Sequence, residues 1–324
     1  MGAQAHSICR GASTGSGGIP MATRKNAAVA ATVAAIVGNS IFGFSFMFSR
    51  LALNVTEPFI MLMYRFIGAF LGMNVLALWS KKKNRQDWLR FSLNWRQCGP
   101  LIVFGLIQPV LYFLFESYGI SMTNATVSGV IIALVPIVAL AAGAIFLKEV
   151  PTAKQVIFSL MSILGVIVMT LQQSAGGDIK PLGIVLLIGA VLSGVTFNIM
   201  SRRLSSRFSA LERTYVMMLV ACVCFTALAL WDNRGDSAAL LAPLAQPMFL
   251  LAMFYLAILS SIVAFLTLNI ASSELPVGKI TAFCNLTTVL SVFAGVVFLG
   301  ETINVVSVIA AAVIIVGVYF VQKS

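Results

Sequence analysis

Residues 247–270 read PMFLLAMFYLAILSSIVAFLTLNI, a run without one Lys, Arg, Asp, Glu or His. About 20 consecutive apolar residues suffice to cross the hydrocarbon core of a bilayer as a helix. Lipid offers a backbone no hydrogen bonds, so a spanning chain is either helical or a closed barrel. This run lacks the in–out alternation of barrel strands. Working outward from it, runs of the same character occupy 27–49, 57–80, 98–119, 123–147, 153–172, 181–201, 211–231, 276–299 and 304–322. The expected fold is an all-α integral membrane protein of ten transmembrane helices. Their connections are short, the longest being 81–97, 202–210 and 232–246, and none suggests a separate soluble domain.

The composition agrees. Hydrophobic residues make up 60% of the 324 and charged residues only 10%, against roughly 25% charged in a soluble domain. So few charges could not coat a water-soluble globule of this length. Residues 1–20 are rich in Gly and Ser and lack an apolar core, so they form neither a secretory signal nor a span; residues 1–26 are read as a disordered tail.

The net charge of +11 would suggest a nucleic-acid partner in a soluble protein, but the positions of the charges explain it better. Of the 21 Lys and Arg, Arg65 falls inside the second run, and Arg50, Lys180 and Arg234 fall on one side of the ten-span plan. The remaining 21 − 4 = 17 fall on the other side, with the tail, the 81–97 and 202–213 connections and the C-terminus. By the positive-inside rule both termini are cytoplasmic, in a cytoplasmic membrane. The basic charge is thus a topology signal, with attraction to anionic membrane lipid and no nucleic-acid partner.

The two halves resemble each other. Ala142-Gly143-Ala144-Ile145-Phe146-Leu147-Lys148-Glu149 matches Ala294-Gly295-Val296-Val297-Phe298-Leu299-Gly300-Glu301 at an offset of 294 − 142 = 152, which also pairs Gly165-Val166 with Gly317-Val318. Near the start of each half, Gly38…Gly43-Phe44-Ser45-Phe46 matches Gly189…Gly194-Val195-Thr196-Phe197. Five spans is an odd number, so the second repeat (181–322) must lie upside down relative to the first (27–172). Inverted repeats are a common way for secondary carriers to build alternating access, with substrate held near the midplane at the repeat interface.

The five-plus-five plan, Arg65 in the second span, Asn124 to Pro136 leading into Phe146-Leu147-Lys148-Glu149, and the second Phe298-Leu299-Gly300-Glu301 together resemble the EamA-type branch of the drug/metabolite transporter superfamily. The resemblance covers about 27–322 and departs at Thr288, where the second copy lacks the counterpart of Pro136. It implies export of amino acids, related metabolites or toxic compounds.

Residues that could carry transport are polar ones inside apolar runs. Arg65 lies about eight residues into its span, where a charge costs roughly 2.5–3.5 kcal/mol on insertion scales. It is expected to bind an anionic substrate group, to gate, or to pair with Glu116, the carboxylate nearest in depth. Glu116 is also the one candidate for proton coupling, a role that an Arg neighbour would oppose. Gln108, Tyr112 and Glu116 recur four apart and share a helix face, which reads as cavity lining against the alternative of interhelical hydrogen bonds. Pro109 and Pro136 each remove an amide and free a carbonyl four residues earlier, which at mid-depth must face protein or a wet cavity. Asn39, Ser45, Ser193, Thr196 and Asn198 in the first and sixth spans, with Ser260, Ser261, Asn285 and Thr288 in the eighth and ninth, would suit polar, mostly uncharged substrate groups. Gly68 and Gly72 form a small-residue motif assigned to internal packing. Glu149 and Glu301 are read as favouring the N-terminal ends of the helices that follow.

Nothing points to catalysis. The only histidine, His6, lies outside every run, and the five cysteines have neither metal nor disulfide spacing. There is no phosphate-binding loop and no HExxH, so no cofactor or metal is implied. The reading is a secondary carrier exporting small organic metabolites such as amino acids by alternating access. A lipid or hydrophobic-toxin exporter and a non-transporting sensor remain as alternatives.

Overall fold

A computed structural model describes residues 21–84, 87–132, 134–146, 152–174, 179–234, 236–275, 283–300 and 305–323. All regular structure among the described residues is helical. In chain order the helices are α1 (Met21–Leu53), α2 (Pro58–Lys82), α3 (Gly99–Ser121), α4 (Ala125–Ile132), α5 (Val135–Phe146), α6 (Ala153–Ser174), α7 (Pro181–Leu204), α8 (Ala210–Asp232), α9 (Pro247–Glu274), α10 (Cys284–Leu299) and α11 (Val305–Lys323). A short helix, Ser237–Leu241, sits in the connection before α9.

Six of these are long and apolar enough to span a bilayer: Ala27–Leu53 within α1, then α2, α3, α7, α8 and α9. Shorter apolar helical stretches, Val127–Ala139, Val156–Gly165, Val289–Leu299 and Val308–Gly317, fall in the other four runs of the sequence. Large apolar side chains are exposed around the molecule, among them Leu71, Val75, Leu78, Val185, Leu192, Val223 and Phe254. A helix apolar on its outer as well as its inner face belongs in lipid. The chain is a multi-pass membrane protein. Helix α1 starts at Met21 rather than at 27, so the last six residues read as tail continue the helix; residues 1–20 lie outside the described set, as do Glu149 and Glu301.

Three of the spans are not regular helices. In α3 the turn Leu106–Leu111 is widened to π geometry, and within it Gln108 takes extended dihedrals (φ −145°, ψ 120°) immediately before Pro109. A proline disfavours helical dihedrals in the residue before it and cannot donate to the preceding turn, so the distortion falls where the sequence requires it. Between α4 and α5, just before Pro136, Leu134 closes a turn on the Ile131 carbonyl. The third distortion has no proline: Tyr255–Ala264 in α9 is π-helical. Such widened turns in α-helices concentrate at functional sites.

The packing is almost unchanged when the halves are exchanged. Helix α2 packs on α8 and α6 on α11, pairing second with second and fifth with fifth. Helix α1 contacts α9 and α10, and correspondingly α7 contacts α3 and α4. Stacked rings mark both symmetric pairings: Phe66 on Phe225 at 5.4 Å and Phe158 on Phe320 at 4.8 Å. The larger core fills the space between α2, α3, α8 and α9 with Met61, Leu62, Phe66, Phe104, Phe225 and Phe249.

Gly68 and Gly72 let α9 lie close against α2. A Cβ on Gly68 would sit 3.0 Å from Ala257 Cβ, and one on Gly72 would run into the Ile262 side chain. Overpacking of this kind costs about 1–3 kcal/mol. Gly72→Leu is therefore predicted to lower the thermal unfolding midpoint in detergent, whereas Val75→Leu, on the exposed side of α2, leaves it unchanged.

Candidate functional site

A cavity of about 70 Å³ lies among the helix breaks, lined by Asn39, Phe42, Ser45 and Phe46 of α1, Gln108, Tyr112, Phe113 and Glu116 of α3, Ile132 of α4, Val135 of α5, Gly194, Phe197 and Asn198 of α7, Leu268 of α9 and Thr287 of α10. At roughly 10–15 Å³ per water position, it could hold several waters. The sequence distortions open onto it: Gln108 is the extended residue of α3, and Ile132 and Val135 flank the break before Pro136.

Glu116 is the one charged side chain among the described residues of this wall. It is 5% exposed, and its Oε1 accepts from the Tyr112 hydroxyl at 3.1 Å, one turn earlier. Gln108 is buried, and its Oε1 has no hydrogen-bond partner. Asn39 and Asn198 each donate an amide N–H to a carbonyl of their own helix, Ala35 and Gly194 respectively. Thr287 donates to the Asn39 carbonyl at 2.9 Å, tying α10 to α1.

Arg65 lies one layer behind the wall. It is fully buried, donating from Nε to Ser261 Oγ at 2.9 Å and from Nη2 to Ser260 Oγ at 2.8 Å. Its guanidinium stands 4.0 Å from the centroid of Phe113 and 5.6 Å from that of Phe66. The expected ion pair with Glu116 is not formed: two serines from the π-widened turn of α9 take Nε and Nη2, the face of Phe113 lies against the guanidinium, and Nη1 has no hydrogen-bond partner. Arg65 still communicates with the cavity. Ser45, on the wall, donates to the same Ser260 oxygen at 2.8 Å, and Phe113 presents its ring to both.

Most of the residues picked from the sequence converge. Asn39, Ser45, Gln108, Tyr112, Glu116 and Asn198 line one cavity, and Arg65 supports it. Thr196 does not join them: it is exposed and donates back to the Leu192 carbonyl at 2.9 Å. Neighbouring helix residues point about 100° apart, so Phe197 and Asn198 face inward while Thr196 faces outward. Asn285 lies in α10, but its side chain is outside the described residues, as is that of Thr288.

Sequence reasoning missed a second buried arginine. Arg213, counted with the loop cations, is fully buried at the start of α8. It donates to the Ser201 carbonyl and hydroxyl, to Ser272 and Ser273 Oγ, and to the Asn269 carbonyl, all within 3.0 Å. Arg202 adds bonds to the carbonyls of Ser272 and Ser273. Together they satisfy the last carbonyls of α9, which have no intrahelical partner. The visible signal was Asn269, Ser272 and Ser273, polar groups at helical spacing where an apolar run ends. Helix α9 is thus held by an arginine from the second helix of each half.

Apolar outer faces, distorted helices and a buried cavity with polar groups are features a membrane transporter needs. A model of the EamA-like transporter family matches residues 29–171 and again 181–322, and the chain belongs to that family. It is 31% identical over 291 residues to YcxC, an uncharacterized transporter of Bacillus subtilis (strain 168), covering 89% of this chain and 91% of that one. An uncharacterized transporter of Archaeoglobus fulgidus is 22% identical, covering 71% of this chain and 80% of its own length. A solved crystal structure shares the fold at TM-score 0.64 and 18% identity, covering 90% of this chain and 96% of that one. Family membership makes the substrate a small molecule.

Removing the partners of a buried charge is costly, about 3–5 kcal/mol when a buried pair is broken. Ser260→Ala with Ser261→Ala is predicted to reduce folded yield and thermal stability strongly. Adding Arg65→Met to that pair should recover much of the loss, since the unpaired charge is gone. Thermal unfolding of the double and triple variants in detergent checks both outcomes.

Proposed function

We propose that this chain is a secondary carrier that exports small organic metabolites, amino acids and their relatives among them, across the cytoplasmic membrane by alternating access. In this reading ten spans form two inverted five-helix repeats, 27–172 and 181–322, with both termini cytoplasmic. The observation that carries it is the make-up of the cavity wall. Its residues come from the first, third and fourth spans of one half and from the first, third and fourth of the other, α1 with α7, α3 with α9, and α4–α5 with α10. A site built from matched elements of two repeats can be exposed to either side by rocking one against the other. The exchange-invariant packing supports the same two-fold relation, and an odd number of spans per repeat supplies the inversion.

The helix breaks fit this role. Irregular backbone at membrane depth is tolerated where it is buried in protein or lines a wet cavity, and it gives substrate access to main-chain groups. Glu116 is the group on which we place proton coupling, because it is the one carboxylate among the described residues of the wall and a proton can replace a substrate contact there. Arg65 sets the position of α9 behind the site, so its loss should alter transport through geometry.

Reconstituted into proteoliposomes, the intact protein should show saturable counterflow of a few members of a labelled amino-acid and amine panel. Glu116→Gln should cut that flux by about tenfold or more, the usual scale for losing one charge-assisted contact. A folded protein with no flux of any compound would overturn the carrier reading.

A further inference from the structure

The cavity's walls also bear on which chemical class it selects. The wall carries one charged group, the Glu116 carboxylate, to which the described residues supply one hydrogen bond, from Tyr112. A carboxylate has about four lone-pair sites, so most of its accepting capacity is left for a ligand. Buried Gln108, on the same face of α3, has a carbonyl oxygen with no partner. Asn39 and Asn198 have already committed an amide N–H to Ala35 and Gly194. The charged group and the unpartnered buried oxygen on the wall are thus both hydrogen-bond acceptors.

The buried cation Arg65 does not reverse this balance. Arg65 is absent from the wall: its Nε and Nη2 are taken by Ser261 and Ser260, its Nη1 is buried without a hydrogen-bond partner, and its guanidinium stands 4.0 Å from the centroid of Phe113, which itself lines the cavity. An anion entering the cavity would meet Glu116 with no wall cation to compensate. Five of the lining residues are aromatic, Phe42, Phe46, Tyr112, Phe113 and Phe197, beside the aliphatic Ile132, Val135 and Leu268. Aromatic faces favour organic cations and give an apolar body somewhere to pack.

We propose that the site selects organic amines in their ammonium form, with the ammonium held at Glu116 beside Gln108 and the apolar body among the phenylalanines. The carboxylate of an amino acid finds no matching cation among the described residues of the wall, so an amine is preferred to the amino acid of the same side chain. This inference rests on the cavity being the transport site.

The test is calorimetric binding of three compounds with one common body, 2-phenylethylamine, phenylalanine and 3-phenylpropionate, to the purified full chain in detergent. The amine should bind at least about tenfold more tightly than either acid, and Glu116→Gln should erase that margin. This variant keeps an oxygen to accept from Tyr112, and a thermal melt checks that it stays folded. Equal or tighter binding of either acid, or no binding of any of the three, overturns the proposal. Counterflow of labelled compounds tests the carrier reading separately: flux of phenylalanine without amine preference leaves the carrier and sinks the amine. Selective amine binding without flux of any compound does the reverse.

Discussion

A guanidinium buried in an apolar interior with no carboxylate beside it is the constraint around which this molecule is arranged. Arg65 is fully buried, and a charge removed from water must be paired or thoroughly hydrogen-bonded. Neutral groups meet that requirement at Nε and Nη2, while Nη1 is left without a hydrogen-bond partner. The π turn of α9 directs consecutive serines at the guanidinium, and Phe113 covers it with a ring face at 4.0 Å. Those contacts fix α9 against α2, and Gly68 and Gly72 allow the approach. Ser45 then ties α1 to the same serine, so α1, α2, α3 and α9 meet at one residue.

That meeting point lies directly behind the cavity, which gives the arrangement a functional sense. Phe113 and Ser45 each touch the arginine cluster and line the cavity. A shift of α9 would move both. The second clasp, Arg213 on the terminal carbonyls of α9, anchors the other end of the helix. Neither arginine lines the cavity, and Glu116 is the charged side chain among the described residues of its wall.

Much of this was legible in the sequence. Uniform apolar runs announce spans because backbone satisfaction in lipid leaves so few alternatives. Pro109 and Pro136 located the helix breaks, and the spacing of Gln108, Tyr112 and Glu116 placed three residues on the cavity wall. Depth alone misled for Arg65. Two groups at similar depth need not meet when hydroxyls and a ring lie closer, and nothing local in the sequence announces the π turn that brings Ser260 and Ser261 forward. Thr196 failed for a simpler reason, since in an apolar helix a threonine can satisfy its hydroxyl on its own backbone and face outward. Arg213 was hidden because a cation near a span end reads as topology, and only packing reveals whether it is solvated or enclosed.

The central claim is that the cavity between the halves is reached from the two sides of the membrane in turn. Asn198, on its wall, replaced by cysteine in a background without the native thiols, reports this through modification by a membrane-impermeant thiol reagent added to one side of oriented vesicles. Alternating access predicts labelling from either side, with a transported substrate slowing both. Labelling from one side only under every condition, or from neither side while substrate still moves, would contradict the account.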